Sequence, residues 1–234
     1  MKSVPSRESR CRNEMDSSTM RRSRLLSLLP LALCLILVTS ACGSSGDKLS
    51  GTSLDKTPAP DFTLTDQRGQ TVKLSSLQGH PVVLTFIYTN CTDICPLIAE
   101  KLHAAYQMLS PSQQQDVYML AVTVDPARDD EAALQKFSEA HSLANTANWH
   151  ALTGSADTLS KVWADYYIDA SGMIEEDATP VPGATPAPQA TPGNAPPAHT
   201  DAIFLIDKDG KERVLLRSTI DYKSIAADLK TLSK

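Results

Sequence analysis

Val82-Val83-Leu84-Thr85-Phe86-Ile87-Tyr88-Thr89-Asn90-Cys91-Thr92-Asp93-Ile94-Cys95-Pro96 is the stretch on which the fold turns. Residues 82–88 are apolar and rich in β-branched and aromatic side chains, the composition of a strand covered on both faces. The period then changes. Ile98, Leu102, Ala105 and Leu109 recur at i, i+4, i+7 and i+11, the stripe of a helix lying on a sheet, and Ser110-Pro111 stops it. Pro96 has no amide hydrogen and is tolerated only in a first helical turn, so Cys91 and Cys95 stand at or just before a helix N-terminus. Free amides and the positive end of the helix dipole there favour thiolate over thiol.

Working outward, residues 62–65 and 71–74 flank Asp66-Gln67-Arg68-Gly69-Gln70, a hairpin signal with glycine at the turn. Residues 117–124 read as a second buried strand, followed by a helix over about 129–141, a short strand near 149–152 and a helix over about 155–167. Residues 178–198 then carry seven prolines among Ala, Thr and Gly, an exposed disordered insertion (about 170–198) that builds no core or ladder. A second hairpin follows, residues 202–206 and 213–216 around Asp207-Lys208-Asp209-Gly210, and Asp221 caps a last helix to about Leu232. Strands alternating with helices and closed by a hairpin and helix predict an α/β sandwich of thioredoxin type over residues 61–234.

The first sixty residues are of another kind. Arg21-Arg22-Ser23-Arg24, an apolar run over 25–38 and small residues up to Cys42 have the order of a secretion signal, residues 1–41, with Met20 as the expected true start. The run is shorter than the roughly 20 residues of a membrane span. Small residues ahead of Cys42 resemble the bacterial lipobox, although Thr39 stands where an aliphatic residue is usual. Cys42 is therefore the expected lipidation site, and residues 42–60 the anchor and a flexible tether of Gly, Ser, Thr, Asp and Pro. The chain is then exported and held on the outer face of the bacterial cytoplasmic membrane.

Loss of the signal settles the cysteine count. Cys11 and Cys34 leave with it, Cys42 takes lipid, and Cys91 and Cys95 are the only thiols of the mature chain. The same cut removes seven Lys+Arg and three Asp+Glu, leaving 15 basic and 24 acidic groups, net −9. Such a surface excludes nucleic acid as an expected partner. No internal repeat is present, and a monomer is expected.

Ligands of open α/β sheets gather beyond the carboxyl ends of the parallel strands, where Cys91 and Cys95 stand. Asp125 follows the second strand and reaches the same edge. The strand over 202–206 should run antiparallel to its neighbours, which brings the preceding His199 there too. Two thiols, an imidazole and a carboxylate therefore converge. The sulfurs and imidazole form a soft set suited to copper, Cu(I) above all with Cu(II) as the other state, while zinc usually wants a fourth ligand. Three residues between the cysteines can straddle a metal or close into a disulfide, so the pair can serve as structural bridge, redox switch or metal clamp. His80 at the opposite edge and His141 at a helix end are expected to be structural, His150 at the start of a strand half-buried, and His103, about 12 Å along its helix from Cys95, at the surface. Met108 is expected in the core and Met173 in a loop.

Residues 88–96, then Val122-Thr123-Val124-Asp125-Pro126-Ala127-Arg128-Asp129, then His199 ahead of Ile203-Phe204-Leu205-Ile206-Asp207, resemble the Sco/SenC family in order and spacing. The resemblance runs from about Asp61 to the C-terminus. It implies a membrane-tethered thioredoxin-like domain that binds copper and helps assemble the binuclear copper centre of cytochrome c oxidase, its partner being the copper-receiving subunit of a respiratory oxidase. By position, Cys91, Cys95 and His199 match the family's copper ligands and Asp125 its nearby acidic residue. Thr92 stands where proline is common, and the insertion abuts His199. The implied role is a metallochaperone rather than an enzyme. The enzyme alternative is a thiol:disulfide oxidoreductase acting on a metalloprotein client through Cys91 and Cys95. Peroxidase chemistry, which wants one activated cysteine beside an arginine, fits less well.

Overall fold

Residues 82–87 are buried without exception, as expected of a strand with neighbours on both sides and helices on both faces. The computed structural model describes residues 48–170 and 201–234, and within them this strand is the fourth of eight in one sheet. In chain order the strands are β1 (Thr52–Ser53), β2 (Thr63–Asp66), β3 (Thr71–Lys73), β4 (Val82–Ile87), β5 (Tyr118–Thr123), β6 (Trp149–Thr153), β7 (Ala202–Ile206) and β8 (Glu212–Arg217). The helices are α1 (Ile94–Gln107), α2 (Pro111–Asp116), α3 (Glu131–Ala140), α4 (Ala156–Asp165) and α5 (Tyr222–Leu232), with a 3-10 turn at Leu74–Leu77.

The sheet order is β1-β8-β7-β4-β5-β6-β2-β3. β4, β5 and β6 are parallel, whereas β7 runs against β4 with Thr85 opposite Ile203 and Val82 opposite Ile206. The first residue of β7 is thereby set at the edge where β4 ends, as the sequence predicted. Thr85 fixes that register further, since its hydroxyl donates to the Ala202 carbonyl at 2.9 Å.

Two apolar layers flank the sheet. On one face α1 contributes Ile98, Ala99 and Leu102, α3 contributes Leu134 and Phe137, and α5 contributes Ile225 and Leu229. On the other, α4 contributes Leu159, Val162 and Trp163 against Leu84, Phe86 and Phe204, with Phe62 and Leu64 beside them. This is the thioredoxin-like α/β sandwich expected, and the apolar stripes read from the sequence are its buried faces. Side-chain caps start the later helices: Asp130 accepts from Ala133, Ser155 from Thr158, and Asp221 from Lys223 and Ser224.

Three features differ from the sequence reading. Helix α2 was not expected: Pro111, taken as a stop signal, instead starts a new turn that Ser110 and Gln113 close as a capping box. Met108, expected in the core, is 40% exposed because α1 ends at Gln107 and the turn carries it outward. The described part of the expected tether is an arm laid on the sheet. Thr52 and Ser53 pair with Leu215 and Val214, Pro58 bridges Lys211, and Asp228 on α5 accepts from the amide and hydroxyl of Ser50 at 3.0–3.3 Å. Backbone hydrogen bonding to an open sheet edge outweighs the polar composition from which a free linker was inferred. Because β1 runs against β8, the arm enters the fold at the edge where β4 ends.

The expected signal region 1–41, Cys42, the expected insertion from residue 171 on, Met173 and His199 lie outside the described residues. Among the described residues no helix is long and apolar enough to cross a membrane.

Candidate metal and dithiol site

Beyond Ile87 the chain turns through residues 88–93 into α1. That turn carries one main-chain hydrogen bond of its own, from the Cys91 amide to the Tyr88 carbonyl at 3.2 Å. Asp93 occupies the N-cap position of α1 yet its side chain caps nothing. The Sγ of Cys91 takes that role, accepting the Cys95 N–H at 3.2 Å and so satisfying one of the orphan amides of the first turn. Pro96 lies in this turn, as its missing amide hydrogen predicted.

The two sulfurs are not equivalent. Cys91 is half-buried and Cys95 has no exposed surface. Burial opposes ionisation of Cys91, but hydrogen bonds from the Cys95 thiol, from the Cys95 and Asp93 amides and from the Tyr88 hydroxyl outweigh it and hold its pKa below the ordinary thiol value. Burial pushes the Cys95 thiol up, and its bond to the Cys91 sulfur and the nearby negative groups add to that. Tyr88, desolvated and facing Cys91, is pushed up to about 12 and stays a hydrogen-bond donor. The helix-terminus argument therefore holds for Cys91 alone: desolvation overrides the dipole at Cys95, one turn deeper.

Asp125 stands at the same edge, at the end of β5, and is 2% exposed. Its Oδ2 accepts from Arg128 Nη1 at 2.9 Å, its amide donates to the Thr123 hydroxyl at 2.9 Å, and its Oδ1 has no hydrogen-bond partner. An orphaned buried carboxylate oxygen costs of order 1–3 kcal/mol. The Asp125 charge reaches Tyr88. His199 lies outside the described residues, but Asp201, two positions later, is at this edge, tied to Arg217 at the end of β8.

Sequence reasoning passed over Asp129 as a site residue. It is 1% exposed and accepts from the Thr89 amide at 3.2 Å, the Thr89 hydroxyl at 2.6 Å and the Thr123 hydroxyl at 2.5 Å. Burial raises its pKa against these bonds. The signal available was the pair of threonines, each next to an element that ends at the dithiol edge.

His80 and His150 are held by carboxylates away from the dithiol. His80 pairs with Asp116 at 2.8 Å, and His150 is buried against Asp66 at 2.9 Å with Arg68 alongside. His141 caps α3 and packs on Phe137. His103, expected at the surface, is instead half-buried on α1, with its Nδ1 unpartnered among the described residues. Among the described residues no three His, Cys, Asp or Glu side chains cluster as a metal cage. The two sulfurs, hydrogen-bonded to each other with Cys91 alone reaching solvent, are a soft donor pair that fits a thiophilic cation arriving as cargo.

A half-exposed cysteine hydrogen-bonded to a buried one at a helix N-terminus, on the C-terminal edge of a sheet of this order, defines a thioredoxin-like dithiol domain. The chain belongs to the SCO1/SenC family, whose model matches residues 51–234 and so takes in the arm along β8. It is similar to the zebrafish (Danio rerio) mitochondrial protein SCO2 homolog, 31% identical over 156 residues that make up 64% of this chain and 48% of that protein. The chain thus spans about half the length of the curated relatives it matches. Among solved structures it resembles a SCO1/SenC family lipoprotein from Bacillus anthracis, with TM-score 0.59, 25% identity, and 80% of this chain and 100% of that one covered. It also resembles Bradyrhizobium japonicum ScoI with copper bound, with TM-score 0.52, 25% identity, and 75% and 99% covered.

Proposed function

We propose that this protein is an exported, membrane-anchored copper-binding assembly factor that delivers copper to, or prepares, the binuclear copper centre of cytochrome c oxidase. The observation that carries it is the Cys91–Cys95 pair, two sulfurs in mutual hydrogen bond at the open edge of the sheet. Cys91, Cys95 and His199 are the proposed ligands, with Asp125 beside them. Copper, carried as cargo, would take the place of the proton that Cys95 now holds toward Cys91. The copper-bound relative from Bradyrhizobium japonicum supports the metal. The Bacillus anthracis lipoprotein supports lipid attachment, here through Cys42, and hence a place on the outer face of the cytoplasmic membrane. The client is the copper-receiving subunit of a respiratory oxidase.

Anaerobic Cu(I) titration of the reduced chain, with X-ray absorption to count neighbours, tests this. Two sulfurs and one nitrogen per copper are expected, with binding lost in Cys91→Ser and Cys95→Ser. Unchanged affinity in His199→Ala would remove the three-ligand site.

A second reading has its own support in the unequal thiols. Cys91 as thiolate attacks one sulfur of a client disulfide and releases the other as a thiolate. Cys95 then loses its proton and attacks Cys91, freeing the second client thiol and closing the chain's own disulfide, so two electrons pass to the client. That cycle spares His199, and turnover of a disulfide client by His199→Ala separates it from metal transfer.

A further inference from the structure

We propose that Asp129 is a positioning residue for the dithiol, its carboxylate bridging the turn that carries Cys91 to the end of β5. Thr89, two residues before Cys91, gives both its amide (3.2 Å) and its hydroxyl (2.6 Å) to this carboxylate. Thr123, the last residue of β5, gives its hydroxyl to the other oxygen at 2.5 Å. The bridge continues, because the Thr123 hydroxyl accepts the Asp125 amide at 2.9 Å. Asp129 is itself held by the loop, its amide donating to the Asp125 carbonyl at 2.9 Å beside that of Arg128 at 3.1 Å. One carboxylate therefore joins the Cys91 turn to the Asp125 turn.

The arrangement is more than a brace. Within the turn over residues 88–93 the Cys91 amide bonds the Tyr88 carbonyl and the Asp93 amide bonds the Cys91 sulfur, and the bonds from Thr89 to Asp129 tie that turn to the loop after β5. Burying a carboxylate costs several kcal/mol before any bond is counted, and an amide of the same shape cannot accept at both positions. A charge kept at 1% exposure between two functional turns fits a demand for fixed geometry. What is fixed is the reach of the Cys91 Sγ to the Cys95 amide, and hence the spacing of the two sulfurs. Asn at position 129 would turn one acceptor into a donor facing Thr89 or Thr123, and Val at position 89 would remove one donor while keeping the volume.

This rests on Cys91 and Cys95 being the working thiols. In the reduced full chain, three readouts are compared for Asp129→Asn, Thr89→Val and Thr89→Ser. They are the alkylation rates of Cys91 and Cys95, Cu(I) affinity by chelator competition, and the melting temperature. Asp129→Asn and Thr89→Val should bring the two alkylation rates together and weaken Cu(I) binding about 10- to 100-fold, the usual effect of losing a residue that orients a ligand. Thr89→Ser, which keeps the hydroxyl, should match the parent chain in both. A parent-like alkylation ratio in folded Asp129→Asn, or Thr89→Ser behaving as Thr89→Val, would overturn the assignment. If Asp129→Asn does not fold, the two Thr89 variants decide alone. If the parent chain binds no copper, the assembly reading fails, and the alkylation ratio still decides the role of Asp129.

Discussion

The Sγ of Cys91 lies 3.2 Å from the Cys95 amide nitrogen and accepts its hydrogen, so a sulfur does at the start of α1 what a Ser or Asp oxygen does in other helices. Against the opposing effect of burial, the hydrogen bond from the Cys95 thiol lowers the Cys91 pKa most and this amide contact adds to it, while burial keeps Cys95 itself protonated. Helix capping thus contributes to thiol activation.

Selective alkylation follows. Iodoacetamide at neutral pH should modify Cys91 at least ~10-fold faster than Cys95, because it is more exposed and ionises at lower pH. Peptide mapping by mass spectrometry reads the ratio, and equal rates would contradict the asymmetry.

The two serine variants should differ in stability as well. Cys95→Ser places a hydroxyl at a site without exposed surface and should cost about 1–3 kcal/mol. Cys91→Ser, half-buried and able to keep an acceptor near the Cys95 amide, should cost under about 1 kcal/mol. Urea denaturation of the reduced proteins measures both.

The arm along β8 should be removable at two points. Gly51 has φ +84°, and a Cβ there would meet the Leu215 carbonyl at 2.6 Å, so Gly51→Ala should strain or release the arm at a cost of about 1–3 kcal/mol. Asp228→Ala withdraws the acceptor that Ser50 uses and should act likewise. Faster protease cleavage near residue 50, with the dithiol alkylation ratio unchanged, is the expected pattern.

Acid should destabilise the fold through His150 and Asp66. Burial holds His150 below its ordinary 6.5, so the unfolded chain takes up its proton first. Its contribution is whole above pH 6.5 and is lost as pH falls from there through the folded value. Burial opposes ionisation of Asp66 too, but hydrogen bonds from Gln70, His150 and Arg68 prevail and hold it below 3.8, so its share disappears only at still lower pH. The ring of Tyr118 stacks on His150, and Arg68 is the cation beside it. In His150→Gln the decline of stability between pH 6.5 and 5 should flatten, and a parent-like slope would contradict this.

How much of this the sequence held depends on the range of the interaction involved. The apolar stripe Ile98, Leu102, Ala105 and the unbroken run over 82–87 dictate a helix and a central strand by period alone, and both hairpins follow from turn residues. Placing β7 antiparallel also put its first residue at the cysteine edge, because topology allows few alternatives. The arm over residues 50–58 could not be read the same way. It is polar, and only the free edge of β8 and the carboxylate of Asp228 give it partners.

The sequence by itself determined which thiols the domain offers and where on the fold they sit, since strand, helix and Pro96 are local signals. Only the tertiary structure decided that the two sulfurs differ and that Asp129, 38 residues after Cys91, holds the turn between them and β5. Burial and hydrogen bonds between distant segments set both, and neither leaves a periodicity in the chain.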